Sequence, residues 1–322
     1  MKKLMVIPLV AAGMAAMVGC SKTPVKEAAR NDAINLANLD TAVAPGTDFY
    51  QYACGGWMKN NPLKPEYARF GTFDQLRDNN QEQIRTLIEG LSETPGQEGS
   101  VGQKIGMLFA MGMDSVKLNE DGYAPIKDQL AEINKLGTKD ELTKMVATLH
   151  KEGMAPFFAL YVGADEKNSS MNIVQLYQAG LGMGDRDYYL LEDESSQKMR
   201  EAYKNYITRL FTLIGSSPEQ ADAAVNAIMK IERGIAEVSF SREDLRDSQK
   251  NYNKMSIEAF KAKNDLLNWD VYFESMGMMD IKYLDAKQLS FYEGLSALMK
   301  NTTLDEQKYY LTFNLLSSAA PY

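Results

Sequence analysis

Residues 157–178, FFALYVGADEKNSSMNIVQLYQ, form the one long stretch whose apolar residues do not recur at helical spacing, and this limits what the chain can become. Two β-rich runs flank the polar segment ADEKNSS, a pattern that predicts a single hairpin closed by a longer loop. Elsewhere the period is helical. Phe73, Leu76, Ile84, Leu87, Ile88 and Leu91 share one face, with Gly90 and the segment TPGQEGS as the stop. Val101, Ile105, Leu108 and Phe109 open a second helix, and Leu142, Met145, Val146 and Leu149 mark a third between Thr138 and Gly153. Similar spacing covers residues 195–214, 218–238, 287–300 and 303–319. No repeat or low-complexity tract interrupts the pattern. The expected fold class is mainly α, a multi-helix lobe with one small β-hairpin.

The N-terminus carries a different signal. Lys2 and Lys3 precede an apolar run from Leu4 to Val18, which ends at Gly19-Cys20. That is the layout of an export signal, too short for a good membrane span. A cysteine directly after the small residue is the pattern of a bacterial lipoprotein, so residues 1–19 are expected to be removed and Cys20 to carry lipid. Several acyl chains, each contributing about 0.8 kcal/mol per buried methylene, would hold the protein at a membrane without spanning it. The expected location is the bacterial cell envelope, facing the periplasm or the cell surface. Residues 20–41 are small and polar, as expected of a tether, and residues 42–322 form the expected folded region.

Loss of Lys2 and Lys3 takes the net charge from −8 to −10, a balance that argues against nucleic acid as a partner. With 45% hydrophobic residues the chain can bury a substantial core. Cys54 is the only cysteine besides Cys20, so no internal disulfide is possible once Cys20 is lipidated.

Several chemistries are missing. His150 is the only histidine. A zinc peptidase motif H-E-x-x-H needs two imidazoles one turn apart, to aim both nitrogens at the metal, and this chain cannot build it. His150 itself is expected on the surface near a helix C-terminus, where partial positive charge suits the dipole. A serine or cysteine triad would need the same histidine, and no G-x-S-x-G elbow is present. Gly180-Leu181-Gly182-Met183-Gly184-Asp185 resembles a glycine-rich phosphate turn, but Asp185 stands where a dinucleotide fingerprint needs glycine and would repel a phosphate. The 43 acidic residues read as solvated helix faces, with no carboxylate pair singled out.

Recognition chemistry remains. In Tyr67-Ala68-Arg69-Phe70-Gly71-Thr72-Phe73-Asp74-Gln75-Leu76-Arg77-Asp78, Asp74 and Arg77 lie three apart on a helix and can pair on one face. Arg69 precedes that helix, and an arginine fork binds a carboxylate through two parallel hydrogen bonds. From these residues alone, a surface helix with one ion pair worth under about 1 kcal/mol is the simpler reading.

Four ordered motifs change that balance: PGTDFYQYACGGW at 45–57 running into the arginine stretch, GMGDRDYYL at 182–190, Asn251-Tyr252-Asn253-Lys254-Met255 with Asn268-Trp269, and the helix ending Ala320-Pro321-Tyr322. In these, residues 45–322 resemble the N-terminal region of the neprilysin and endothelin-converting-enzyme family of zinc metallopeptidases, with Gly184 where the family usually has proline. The resemblance implies two largely helical lobes around a chamber that admits short peptides. It implies that Arg69 receives the C-terminal carboxylate of a peptide, that Arg77 is a second cation of the pocket, and that Asp74 orients them. The family's zinc ligands and general-base glutamate lie in a C-terminal half that these residues do not match, as does the frequent partner of a cysteine like Cys54. Zinc-activated water attacking a peptide carbonyl would then be the work of residues beyond Tyr322. The chain is accordingly expected to be cut before its catalytic domain, to be inert alone, and to supply the substrate pocket and most of a lid-like lobe. Two alternatives stand beside this reading. One is a non-catalytic peptide-binding lipoprotein. The other is a helical glycan-binding lipoprotein using Tyr188, Tyr189 and Trp269 as stacking platforms.

Overall fold

The computed structural model describes residues 35–63 and 69–321; Cys20 and the expected signal segment lie outside them. The chain divides into two compact units at Thr94–Pro95.

In the first unit a 3-10 turn at Leu36–Asn38 is capped by Asn35, whose side chain accepts from the Ala37 N–H at 3.0 Å. Helix α1 (Phe49–Asn60) starts at Asp48, which accepts from the Gln51 N–H at 2.9 Å. The turn's backbone lies so close to α1 that a Cβ at Gly56 would meet the Ala37 carbonyl oxygen at 2.3 Å. Only glycine fits there, which accounts for Gly56 in the ACGGW run. Residues 36–40, at the end of the expected tether, are thus folded onto α1. Cys54 is a half-buried free thiol. Helix α2 (Thr72–Glu93) follows, and Phe70 just before it stacks on Trp57 with centroids 6.0 Å apart.

The second unit opens with α3 (Val101–Met113), α4 (Ser115–Asp121), α5 (Lys127–Lys135) and α6 (Lys139–Lys151). Thr138 and Glu141 form a reciprocal capping box at the start of α6. Strands β1 (Phe158–Asp165) and β2 (Asn168–Gln178) are the hairpin, but its loop is not long. Asp165 faces Asn168 across a two-residue turn, with a register shift after Ala164, so the strands run through most of the polar segment. Ion pairs explain why polar residues stay ordered there. Asp165 is 1% exposed, lies 2.6 Å from Lys254 Nζ and accepts from Tyr252 Oη at 2.9 Å, and these partners hold its carboxyl down at about 2.

Helices α7 (Asp187–Leu190), α8 (Glu194–Leu213) and α9 (Pro218–Val238) come next. The remaining elements are β3 (Lys254–Ser256), α10 (Ile257–Lys263), α11 (Trp269–Met276), β4 (Tyr283–Ala286), α12 (Leu289–Lys300) and α13 (Leu304–Ala319). The hairpin is therefore half of a four-stranded sheet in the order β1-β2-β4-β3, with β2 and β4 parallel. Buried Phe158, Phe260, Trp269, Tyr272 and Tyr292 pack ring to ring beside the sheet, while α8, α9 and α13 pack against one another through Tyr203, Ile207, Ile228, Ile231, Phe313 and Leu316.

His150 departs from expectation. It is not a charged surface residue at a helix end: burial holds it neutral, its pKa pushed down to about 4. Nε2 must donate to the Pro156 carbonyl at 3.2 Å, so Nδ1 accepts from Tyr272 Oη at 2.6 Å, and the ring stands edge-on to Phe158. Both nitrogens are engaged in core packing. Tyr189 and Trp269 are 0% and 3% exposed, so neither can serve as a glycan platform.

Candidate functional site

The arginine stretch is built by the N-terminus of α2. Gly71 is the N-cap, and Asp74 Oδ2 accepts from its backbone N–H at 2.9 Å. The other oxygen of Asp74 meets Arg77 Nη2 at 3.0 Å, while Arg77 Nε lies 4.0 Å from Asp78. One carboxylate thus anchors the helix start and fixes a guanidinium one turn later. Asp74 is also well placed for the positive end of the helix dipole. Arg69 is exposed at the entry to α2. The structure therefore puts Arg69, Asp74 and Arg77 on one short segment, with Asp74 and Arg77 in direct contact.

Residues 179–186 form a second centre, in the second unit. The loop borders a pocket of about 510 Å³ together with Glu232, Asn314 and Ser317. Glu232 is 1% exposed. Tyr189 Oη donates to its Oε2 at 2.6 Å, and Tyr203 Oη lies 2.9 Å from both its oxygens. Tyr189 Oη in turn accepts from the Met183 N–H at 2.9 Å. Tyr310 Oη donates to the Gly180 carbonyl at 2.8 Å and accepts from the N–H of Phe157, a buried residue in the left-handed region at φ 67°. A Cβ at Gly182 would fall 1.8 Å from Tyr203 Oη. The Tyr189 and Tyr310 hydroxyls thus hold the backbone of the glycine loop, and the Tyr189 and Tyr203 hydroxyls hold the buried carboxyl beside it. Burial pushes the Glu232 pKa up to about 7 against the pull of the tyrosines and the Gly182 N–H.

Sequence reasoning missed Glu232. On α9 it sits among Ile228, Ile231 and Ile235, all buried, and that apolar-face position was the available signal. Three residues of the motif GMGDRDYYL have clear structural partners: Asp185 pairs with Arg242, Arg186 donates to the Ser239 carbonyl, and Tyr189 reaches Glu232.

A zinc site does not fit these residues. Among the described residues no group of three or more His, Cys, Asp or Glu side chains could hold a metal ion, and His150 is spent in the core. Nor is any described helix long and apolar enough to cross a membrane.

The fold is that of a metallopeptidase N-terminal domain. Residues 45–322 match the N-terminal profile of peptidase family M13, and the chain belongs to that family of zinc metallopeptidases. Endothelin-converting enzyme 1 of Mus musculus is 29% identical over 347 residues, covering 100% of this chain and 44% of the relative. Among solved structures, the zinc metalloprotease ZMP1 of Mycobacterium tuberculosis superposes with a TM-score of 0.76 at 24% identity, over 88% of this chain and 43% of that one. PEPO from Lactobacillus rhamnosis gives 0.66 at 20% identity, over 85% and 43%. The chain spans less than half the length of the relatives it matches.

Proposed function

We propose that this chain is the substrate-pocket and lid-forming N-terminal part of a membrane-anchored zinc metalloendopeptidase that cleaves short peptides. Arg69 is the fork for a peptide's C-terminal carboxylate, Arg77 the second cation, and Asp74 the group that orients them. The observation that carries the reading is the pairing of Asp74 with both the Gly71 N–H and Arg77, beside Arg69, within the segment matched to the family. Zinc ligands and the catalytic base would come from a C-terminal catalytic domain, and lipid on Cys20 would hold the enzyme in the cell envelope. With one histidine, the 322 residues alone are expected to cleave nothing.

The test uses the protein extracted from membranes, detected by an antibody against residues 69–90 and assayed with zinc on short peptides bearing free or amidated C-termini. Arg69→Ala should raise KM for the free-carboxylate peptides and leave the amidated ones unchanged. Equal effects on both, or none, would remove Arg69 from the proposed role. A protein of about 36 kDa that binds peptides without cutting them would instead support the non-catalytic lipoprotein.

A further inference from the structure

Helices α8 and α9 enclose, beside α7, a pocket of about 410 Å³ whose charge opposes that of the whole molecule. The chain carries a net charge of −8, yet Arg200, Lys204, Lys230 and Arg233 all line this pocket and no carboxylate does. The pattern follows from helix geometry. Arg200 and Lys204 are one turn apart on α8, and Asn226, Lys230 and Arg233 follow at four- and three-residue steps on α9, so each helix turns one face to the cleft.

Two of the cations are anchored by backbone oxygens. Arg200 Nη1 donates to the Tyr188 and Leu191 carbonyls at 2.8 and 2.7 Å, and Arg233 Nη1 to the Tyr189 carbonyl at 3.3 Å. These carbonyls orient the guanidinium groups without cancelling a full charge. The acidic partners, Glu192, Glu201, Glu237 and Glu306, all lie outside the lining. Three of those four are more than half exposed, and such pairs are individually weak and readily exchanged. Lys204, Lys230 and Arg233 remain 41%, 46% and 53% exposed, within reach of a ligand. A concave site lined by one sign of charge focuses the field and concentrates counter-ions.

From this we infer a binding site for a small ligand carrying two phosphate groups, held by Arg200, Lys204, Lys230 and Arg233 with Asn226 as an added donor. Each cation is shared with a glutamate outside the pocket wall, and a ligand with two phosphate groups brings enough negative charge to compete for all four. Guanidinium forks suit phosphate oxygens. The volume falls in the usual range for small-molecule sites, roughly 300–1,000 Å³. The two phosphate groups can belong to a small molecule free in solution or to the headgroup of a lipid.

Pyrophosphate binding to the purified protein, followed by titration calorimetry at low salt, tests the site. Lys204→Gln/Lys230→Gln should weaken binding at least tenfold, and Glu201→Gln, which frees Lys204, should tighten it several-fold. Lys198→Gln/Lys308→Gln removes the same charge outside the pocket and should change little. Far-UV circular dichroism checks that each variant is folded, and the two double variants serve as matched comparisons. In a second arm, cardiolipin vesicles are offered in place of pyrophosphate. Vesicle binding that pyrophosphate displaces would assign the site to a lipid headgroup, and pyrophosphate binding without vesicle binding would assign it to a soluble ligand. Equal effects of the two lysine pairs, or no binding in either arm, would overturn the inference.

Discussion

Replacing Glu232 by Gln tests the electrostatics of the carboxyl that Tyr189 and Tyr203 hold. The Glu232 carboxyl is held at about 7 in the folded protein, against an ordinary 4.5, because burial disfavours its charge more than its hydrogen-bond donors favour it. Between those values the folded state keeps a proton that the unfolded chain has released. The stability this group contributes is therefore complete below pH 4.5 and lost as pH rises through about 7, at about 1.4 kcal/mol per unit. His150 acts in the opposite sense. Its pKa is pushed down from 6.5 to about 4, so its contribution is complete above 6.5 and lost as pH falls through about 4. From about pH 5 to 6.5 the two slopes offset, and the wild-type protein should be nearly insensitive to pH on their account. Glu232→Gln removes one slope and leaves the other. Relative to wild type, the variant should gain about 2 kcal/mol over that interval. The amide also leaves one hydroxyl poorly paired, a loss of about 1–3 kcal/mol that does not vary with pH. The assay is urea unfolding followed by far-UV circular dichroism at several pH values. A stability difference that stays constant from pH 5 to 6.5 would mean that Glu232 is already ionised in the fold, and the argument would fail.

Gly182→Ala should cost at least about 2 kcal/mol in the same urea assay, because the new methyl overlaps the Tyr203 hydroxyl and must drive it off Glu232. Adding Tyr203→Phe removes the overlapping oxygen and should recover part of that loss, whereas strictly additive effects would show that the clash was relieved elsewhere. Asp74→Ala removes the capping bond and the Arg77 contact together, and should cost about 1 kcal/mol, seen as faster hydrogen exchange at the first amides of α2. Asp165→Asn should destabilise the protein at neutral pH. Its carboxyl titrates at about 2 in the fold, below its ordinary 3.8, so the contribution is present above 3.8 and the penalty should vanish as pH falls through about 2.

How much of this fold was legible depended on length and period. Helices α2, α6, α8, α9, α12 and α13 run for at least three turns with an apolar stripe or a cap such as Thr138, and their boundaries lie within a few residues of those expected. Strands β3 and β4 span three and four residues, too short for an alternating pattern to register, and the sheet exists because β2 accepts β4 in parallel through tertiary contact. The loop of the hairpin was misjudged for a related reason. ADEKNSS reads as a loop by polarity, but Asp165 and Glu166 face Lys254 and Lys287 from a region about 90 to 120 residues away, and those pairings let polar residues continue a strand.

The sites divide along the same line. Asp74 and Arg77 were legible because their contact is set by one helical turn, a geometry that sequence spacing fixes. Arg69 has no such local determinant, and its proposed role comes from the resemblance. Glu232 could not be chosen among 43 acidic residues, because what distinguishes it lies elsewhere in the chain: Tyr189 and Tyr203 supply the hydrogen bonds, and Gly182 supplies the space that lets Tyr203 reach it. Each of those partners has a local explanation in sequence, the tyrosines as core residues and the glycine as a turn. Only their convergence gives the glycine loop its purpose. GMGDR departs from a phosphate-binding loop at Asp185 because it is held from beneath by hydroxyls and a carboxyl, and an anion placed there would meet Glu232 and Asp185. The positive pocket lies instead between α8 and α9, where four cations converge and no carboxylate lines the wall.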